Sequence, residues 1–140
     1  MYILCSDLEG VFVPEVWINV AKKTGIDELK LTTRDIQDYD VLMTRRLKIL
    51  EEHNLTLKDI QDVIATIEPL DGAKDFLDTI RTKLPVIVVS DTFQEFADPL
   101  MAQLNRPAIL CHSLTTDDKG MITSYNLSQK DPKRKVVEAF

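Results

Sequence analysis

The sequence predicts an α/β fold in which a mainly parallel sheet is covered by helices. Three short, strongly apolar segments have the composition of buried strands: residues 2–6, PVIVVS at 85–90 and AILC at 108–111. Between and after them lie segments with apolar residues at spacings of three and four, which are typical of amphipathic helices. Strands that are buried on both faces and alternate with helices indicate parallel pairing.

Three helices are predicted between the first strand and the turn at residues 69–72, from capping residues and apolar periodicity. Pro14 begins the first helix, which carries Glu15 in its first turn and ends at Gly25. The capping-box pattern TTRD at 32–35 begins the second, a long amphipathic helix. Thr56 begins the third. This region of the chain is therefore predicted to be almost entirely helical.

The second half of the chain alternates between strands and helices. The segment PLDG at 69–72 marks a turn before a helix, and the second strand follows that helix. Thr92 and Glu95 have capping-box spacing at the start of the next helix. Loose alternation over residues 113–127 predicts a hairpin, and Asp131 begins a last helix.

Composition excludes several classes of partner. The chain has 140 residues, a formal net charge of −6 and 44% hydrophobic residues, which describes one acidic domain. This charge argues against nucleic acid and against anionic membranes, which both attract basic patches. No apolar run approaches the length of a membrane span, and the N-terminus lacks the pattern of a signal peptide. Cys5 and Cys111 are isolated, so we expect reduced, buried thiols and a cytoplasmic protein.

The long helical segment after the first strand suggests an insertion. A simple crossover between parallel strands needs one helix, whereas here nearly eighty residues separate the strands. We expect residues 14–69 to form a helical cap inserted into an α/β core of residues 1–13 and 70–140. Ligands of such sheets bind beyond the carboxyl ends of the strands, so the cap would cover the ligand site like a lid.

Two acids stand where the first strand stops, in YILCSDLEGVFVPE at 2–15. At the carboxyl end of a buried strand, Asp7 could act as a nucleophile or bind Mg²⁺. Glu9, two residues later, could reach the same ligand as a general acid and base. The alternative is that both are solvated turn residues, because acids are common in turns.

Other polar residues are candidates for the same site. Ser90 and Asp91 end the second strand, where a hydroxyl and free N–H groups could bind phosphate or simply cap a helix. Lys133 falls in the first turn of the last helix, where a cation is electrostatically out of place unless it faces an anion. Arg46 lies beside the apolar stripe of its helix and could point into the cleft or extend its charged end to the surface.

Together these motifs resemble the haloacid dehalogenase-like (HAD) phosphatases, and within them the phosphoserine phosphatase branch. The segments DLEGVFVPE, TTRDIQDYDVLM, SDTFQEF and QKDPKR are similar to the bifunctional phosphoserine phosphatase/homoserine phosphotransferases. The resemblance covers essentially the whole chain. It implies a HAD-like Rossmannoid parallel sheet with an inserted helical cap, incomplete at its C-terminal side.

The resemblance also implies a catalytic pair. Asp7 matches the nucleophile that becomes a phospho-aspartate, and Glu9 matches the general acid and base. Most of the superfamily has Asp at the position of Glu9. The carboxylate of Asp7 and the main-chain carbonyl of Glu9 match two ligands of Mg²⁺.

The remaining matches concern substrate binding. Ser90 and the N–H of Asp91 match the phosphate cradle, and Lys133 matches the cation that neutralises the nucleophile and phosphate. Glu15 and Arg46 match the groups that hold the amino-acid end of the substrate. A carboxylate suits an ammonium group, and a guanidinium suits a carboxylate as a bidentate fork.

These matches imply Mg²⁺-dependent hydrolysis of O-phospho-L-serine to L-serine and phosphate, and phosphoryl transfer to homoserine as a related reaction. The Gly-Asp segment that supplies a further metal ligand in the family has no match before Phe140. We therefore expect weak catalysis from 140 residues, with an apolar sheet edge at residues 3–5 that favours a homodimer or self-association. Two alternatives stay open: a truncated, non-catalytic HAD-like fragment, and a phospho-acceptor receiver domain.

Overall fold

A computed structural model, which describes residues 1–140, contains four strands and six α-helices. The strands are β1 (Leu4–Ser6), β2 (Val86–Phe93), β3 (Ala108–Thr116) and β4 (Ile122–Asn126). The helices are α1 (Val16–Thr24), α2 (Tyr39–Glu52), α3 (Leu57–Ile64), α4 (Ala73–Arg81), α5 (Gln94–Gln103) and α6 (Pro132–Ala139). A short 3₁₀ helix (Asp27–Lys30) follows α1.

The four strands form one sheet in the order β1-β2-β3-β4. Strands β1, β2 and β3 are parallel, with Ser6 opposite Val88 and Val88 opposite Ile109. Strand β4 pairs antiparallel with β3 as a hairpin. The predicted α/β fold with a mainly parallel sheet is confirmed, and so is the predicted hairpin. The carboxyl ends of β1 and β2 open onto the same edge, which places residues that follow them close together.

All the helical elements from α1 to α3 lie between β1 and α4, as the sequence predicted. Helix α1 ends at Gly25, whose φ of +76° is the left-handed conformation that glycine adopts most easily. Helix α3 begins with a complete capping box between Thr56 and Asp59. The division into an inserted cap of residues 14–69 and a core of residues 1–13 and 70–140 stays a prediction.

The predicted start of α2 is wrong. The side chain of Asp38 accepts a hydrogen bond from the Val41 N–H at 3.1 Å, so the helix begins at Tyr39. At residues 32–35 only part of the expected capping box forms: the Thr32 N–H donates to the Asp35 carboxylate at 3.0 Å, whereas the Thr32 hydroxyl accepts the Arg34 N–H at 3.2 Å. These hydrogen bonds close a single turn and no helix follows directly.

The strand ends also differ from the prediction. Strand β2 continues to Phe93, so Ser90 and Asp91 lie within the strand and not at the start of α5. Thr92 and Glu95 form no capping box, because the Glu95 carboxylate instead accepts the Leu114 N–H of β3 at 3.1 Å. The predicted helix from Asp131 is confirmed as α6, although the Asp131 side chain makes no cap hydrogen bond.

Burial of the first strand is lower than predicted. All three residues of β1 are half-buried, because β1 pairs with a strand on one side only. The cysteines are free thiols, and both are half-buried rather than fully buried. Burial raises the pKa of the Cys111 thiol to about 11, so this thiol is a weak nucleophile at neutral pH. None of the helices is both long and apolar enough to span a membrane.

One aromatic cluster joins α1 to the sheet. The ring of Phe96 on α5 makes edge contacts with Trp17 on α1 and with Phe93 at the end of β2, at centroid distances of 5.4 and 5.5 Å. Phe96 is 1% exposed. Because this ring touches both a helix of the insertion and the end of β2, it fixes the wall of the pocket described below.

We expect Phe96→Ala to lower the free energy of unfolding by about 3–5 kcal/mol, because it leaves a cavity among rings that cannot close around it. Urea denaturation followed by circular dichroism measures the change. Phe76→Ala is the matched control, since Phe76 is 50% exposed. A Phe96→Ala protein as stable as the Phe76→Ala protein would contradict the proposed anchoring.

Candidate active site

A pocket of about 300 Å³ lies at the carboxyl ends of β1 and β2, beneath residues of the helical insertion. Its lining includes all seven residues that the sequence singled out: Asp7, Glu9, Glu15, Arg46, Ser90, Asp91 and Lys133. They come from segments up to 126 residues apart, so the fold has brought together what local pattern only suggested. Their roles stay predictions.

Both carboxylate oxygens of Asp7 accept hydrogen bonds. Oδ1 accepts the Leu8 N–H at 2.8 Å, and Oδ2 accepts a hydrogen bond from the Lys133 ammonium at 3.0 Å. The sequence predicted Lys133 at the second position of the last helix, and it lies there. The ammonium of Lys133 thus lies directly against the carboxylate that the sequence predicted as the nucleophile.

Glu9 lies deeper under the insertion, and burial raises its pKa from 4.5 to about 7. The Val16 N–H, at the first residue of α1, donates to Glu9 Oε1 at 3.3 Å and partly opposes this shift. A carboxyl group with a pKa near neutrality can give up a proton in one step and take one in the next. Burial thus brings the pKa of Glu9 close to neutrality in the pocket that also contains Asp7.

A bulge in β2 forms the floor of the pocket. Val89 pairs with Leu110 and Phe93 with His112, so the three residues Ser90 to Thr92 lie opposite a single residue of β3. The extra residues leave the ladder and face the pocket, where the Ser90 hydroxyl accepts the Thr92 N–H at 3.2 Å. Backbone N–H groups released from a ladder are suited to bind an anion.

Arg46 enters the pocket from α2, as its position beside the apolar stripe suggested. It is buried, and its guanidinium stacks at 4.7 Å over the ring of Trp17. One terminal nitrogen donates to the Leu31 carbonyl at 2.8 Å, whereas the buried Nε–H has no partner. Burial lowers the pKa of Arg46 to about 10, so it is still charged at neutral pH. A buried charge with an unused donor is suited to an anionic group of a ligand.

At the mouth of the pocket Glu15 is already paired. One Arg34 nitrogen donates to both carboxylate oxygens, at 3.1 and 3.2 Å. Arg34 is exposed and lies in the turn that the sequence took as the start of a helix. Because exposed ion pairs contribute about 0–1 kcal/mol, a ligand ammonium could displace it at little cost.

Sequence reasoning missed Arg34, Tyr39 and Trp17 as parts of the pocket wall. The Tyr39 hydroxyl donates to the main-chain carbonyl of Asp91 at 3.0 Å and so joins α2 to the bulge. Aromatic residues at helical spacing are ordinary core residues by pattern. No local signal distinguishes the few that face a pocket.

The donors for a metal ion are oxygens of the kind that Mg²⁺ prefers. Asp7 offers its carboxylate, and the main-chain carbonyl of Glu9 accepts no hydrogen bond within the chain. These two oxygen donors are chemically suited to Mg²⁺, although no group of three or more His, Cys, Asp or Glu side chains is placed to hold a metal.

Comparison with known proteins identifies close relatives. The chain is 60% identical over 140 residues to phosphoserine phosphatase ThrH of Pseudomonas aeruginosa, covering all of this chain and 68% of that protein. It is 59% identical over 138 residues to a phosphoserine phosphatase of Pseudomonas syringae pv. tomato, covering 99% of this chain and 58% of that protein. The chain thus spans about three fifths to two thirds of their length.

A solved structure extends the comparison to the fold. A phosphoserine phosphatase in apo form matches 98% of this chain and 68% of its own, with a TM-score of 0.77 at 18% identity. No protein-family model matches the chain. The fold matches that solved structure, and the identities over the whole chain show that the chain belongs to the ThrH-type phosphoserine phosphatases.

Proposed function

We propose that this chain carries the catalytic pocket of a Mg²⁺-dependent phosphoserine phosphatase. The observation that carries the proposal is the pairing of Asp7 with Lys133 at 3.0 Å beside Glu9, whose pKa is raised to about 7. This arrangement supplies a nucleophile, a cation for phosphate and a proton donor. The names of the relatives supply the substrate class, a phosphorylated serine.

In the first half of the reaction, a carboxylate oxygen of Asp7 attacks phosphorus and the bond to the serine oxygen breaks. Protonated Glu9 gives its proton to that leaving oxygen, so L-serine departs as a neutral alcohol. In the second half, ionised Glu9 takes a proton from water, which attacks the phospho-aspartate and releases phosphate from Asp7. Homoserine in place of water would receive the phosphoryl group by the same step.

Charge on the transferring phosphoryl group is offset by groups around the pocket. Lys133 lies against Asp7, and the bulge residues 90–92 line the same pocket. A Mg²⁺ ion bound to the Asp7 carboxylate and the Glu9 carbonyl would add positive charge at the phosphate. Stabilising charge in the transition state is the largest contribution to catalysis in this kind of chemistry.

The amino-acid end of the substrate would lie towards the insertion. The unpartnered Nε–H of Arg46 offers a charge-assisted hydrogen bond to the carboxylate of phosphoserine. Glu15 would hold the ammonium after exchange with Arg34. The phosphate would then lie at the strand ends and the carboxylate beneath α2, which accounts for a pocket lined by both cations and acids.

We expect Asp7→Asn to abolish Mg²⁺-dependent release of phosphate from phosphoserine, because an amide oxygen is a poor nucleophile and a poor metal ligand. Phosphate release is measured at saturating substrate, with folding checked by circular dichroism. Asp71→Asn, in the exposed turn before α4, is the control and should keep full activity. Persistent turnover in the Asp7→Asn protein, or none in the unaltered protein, would contradict the proposed function.

We expect Glu9→Gln to lower kcat and to make the protein more resistant to urea at high pH. The raised pKa of Glu9 means that its contribution to stability is fully present below about pH 4.5 and is lost as pH rises through about 7. Gln has no charge to bury, so its advantage over Glu should grow by about 1–2 kcal/mol between about pH 5 and about pH 8.5, after discounting for partial exposure.

The control for that measurement is Glu52→Gln, because Glu52 is exposed at the end of α2. Its unfolding free energy relative to the unaltered protein should change little across the same range of pH. If Glu9→Gln follows the control, Glu9 has no raised pKa and cannot act as the proposed acid and base.

We expect Arg46→Ala to reduce turnover of phosphoserine about tenfold or more relative to turnover of p-nitrophenyl phosphate, which has no amino-acid carboxylate. Values of kcat/KM for both substrates give the ratio. Arg45→Ala is the matched control, because Arg45 is adjacent on α2 and exposed. An equal loss on both substrates would assign Arg46 to structure or to phosphate binding.

A further inference from the structure

A buried histidine, His112 on β3, has no part in the proposed mechanism but contacts two segments that carry it. Its side chain is 2% exposed. Nε2 lies 3.3 Å from the Asp91 carboxylate on the bulge of β2, and Nδ1 accepts the Ser128 N–H at 3.0 Å. Its ring packs between Tyr39 and Phe93, at centroid distances of 6.3 and 6.5 Å.

These contacts fix which ring nitrogen carries the proton. A backbone N–H can only donate, so Nδ1 must present a lone pair to Ser128. A ring proton then lies on Nε2, where it can be donated to Asp91 Oδ1. The hydrogen bonds of His112 therefore have a defined direction, from the segment before α6 towards the bulge.

Asp91 connects that direction to the pocket. While Oδ1 faces His112, Oδ2 lies 3.9 Å from the ammonium of Lys133, which in turn contacts Asp7. Ser128 lies five residues before Lys133, in the segment that leads into α6. His112 thus holds both the acid that faces Lys133 and the start of the segment that delivers Lys133.

We propose that His112 is a positioning residue, which sets the Asp91 carboxylate and the segment before α6 so that the Lys133 ammonium stays at Asp7. The inference rests on the proposed function, because it assigns His112 to the phosphate end of that pocket. An apolar residue at position 112 would pack equally well against the rings of Tyr39 and Phe93. It would leave the Asp91 carboxylate free to turn towards solvent, since Asp91 is half exposed.

Substitutions can test the hydrogen bonds of His112 to Asp91 and to Ser128 one at a time. His112→Gln places a side-chain N–H near the position of Nε2, which keeps a donor for Asp91. His112→Asn places an oxygen near the position of Nδ1, which keeps an acceptor for Ser128 but does not reach Asp91. His53→Gln is the control, because His53 is the other histidine and lies exposed at the end of α2.

We expect the Asn variant to lower kcat on phosphoserine about tenfold, the loss expected when a hydrogen bond to a charged group is removed. The Gln variant should keep most of kcat, and the control should keep all of it. If Asn and Gln lose kcat equally, or if kcat falls only in step with the free energy of unfolding, the positioning role is overturned.

Two measurements do not depend on turnover. Long-range ¹H–¹⁵N spectra of the unaltered protein should give the Nε2–H tautomer for one histidine, assigned to His112 by the spectrum of His53→Gln. A titration with inorganic phosphate should give weaker binding to the Asn variant than to the Gln variant. An Nδ1–H tautomer, or equal phosphate binding, would overturn the inference.

These measurements also separate the inference from the proposed function. A protein that binds phosphate with this dependence on residue 112 but never turns over phosphoserine would refute the proposed function and support the role of His112. If both variants fail to fold, the tautomer in the unaltered protein decides the matter.

Discussion

The carboxyl ends of β1 and β2 share one edge of a parallel sheet, and the meeting of Asp7, Asp91 and Lys133 in the pocket depends on this constraint. It places Asp7 beside the bulge at residues 90–92, and α6 then brings Lys133 to the same edge. The ion pair between Asp7 and Lys133 is exposed by 40% or more on both sides, so it contributes little to stability. The fold therefore determines where Asp7 and Lys133 lie, and their ion pair adds little to the stability of the fold.

The helices between β1 and α4 contribute the second constraint, which is the removal of water. Glu9 follows β1 by only a few residues, yet burial raises its pKa to about 7. Asp7 is instead held by the ammonium of Lys133 at 3.0 Å. Two carboxyl groups close in sequence thus have different surroundings in one pocket. Burial of ionised Glu9 lowers the stability of the fold as the pH rises through about 7.

Local patterns predicted most of the elements and six of the seven pocket residues, because strand ends, caps and apolar stripes depend on neighbouring residues. The seventh, Glu15, was predicted only from the family resemblance. Local patterns did not predict the bulge after Val89, since a bulge depends on the register of a strand about twenty residues away. The start of α2 was wrong for a similar reason: two capping sites compete, and only Asp38 leads into a helix. Arg34 was missed as a pocket residue because its partner, Glu15, is nineteen residues distant.

The balance of charge in the pocket bears on what it can bind. Its ionisable acids and bases are Asp7, Glu9, Glu15, Asp91, Arg34, Arg46 and Lys133. Below its raised pKa Glu9 is neutral, and the remaining three acids equal the three cations in number. A phosphate dianion entering this neutral pocket adds two negative charges beside Asp7. Since the oxygens of Asp7 and Glu9 suit a divalent cation, binding of that cation would restore neutrality, so phosphate and metal should each strengthen the binding of the other.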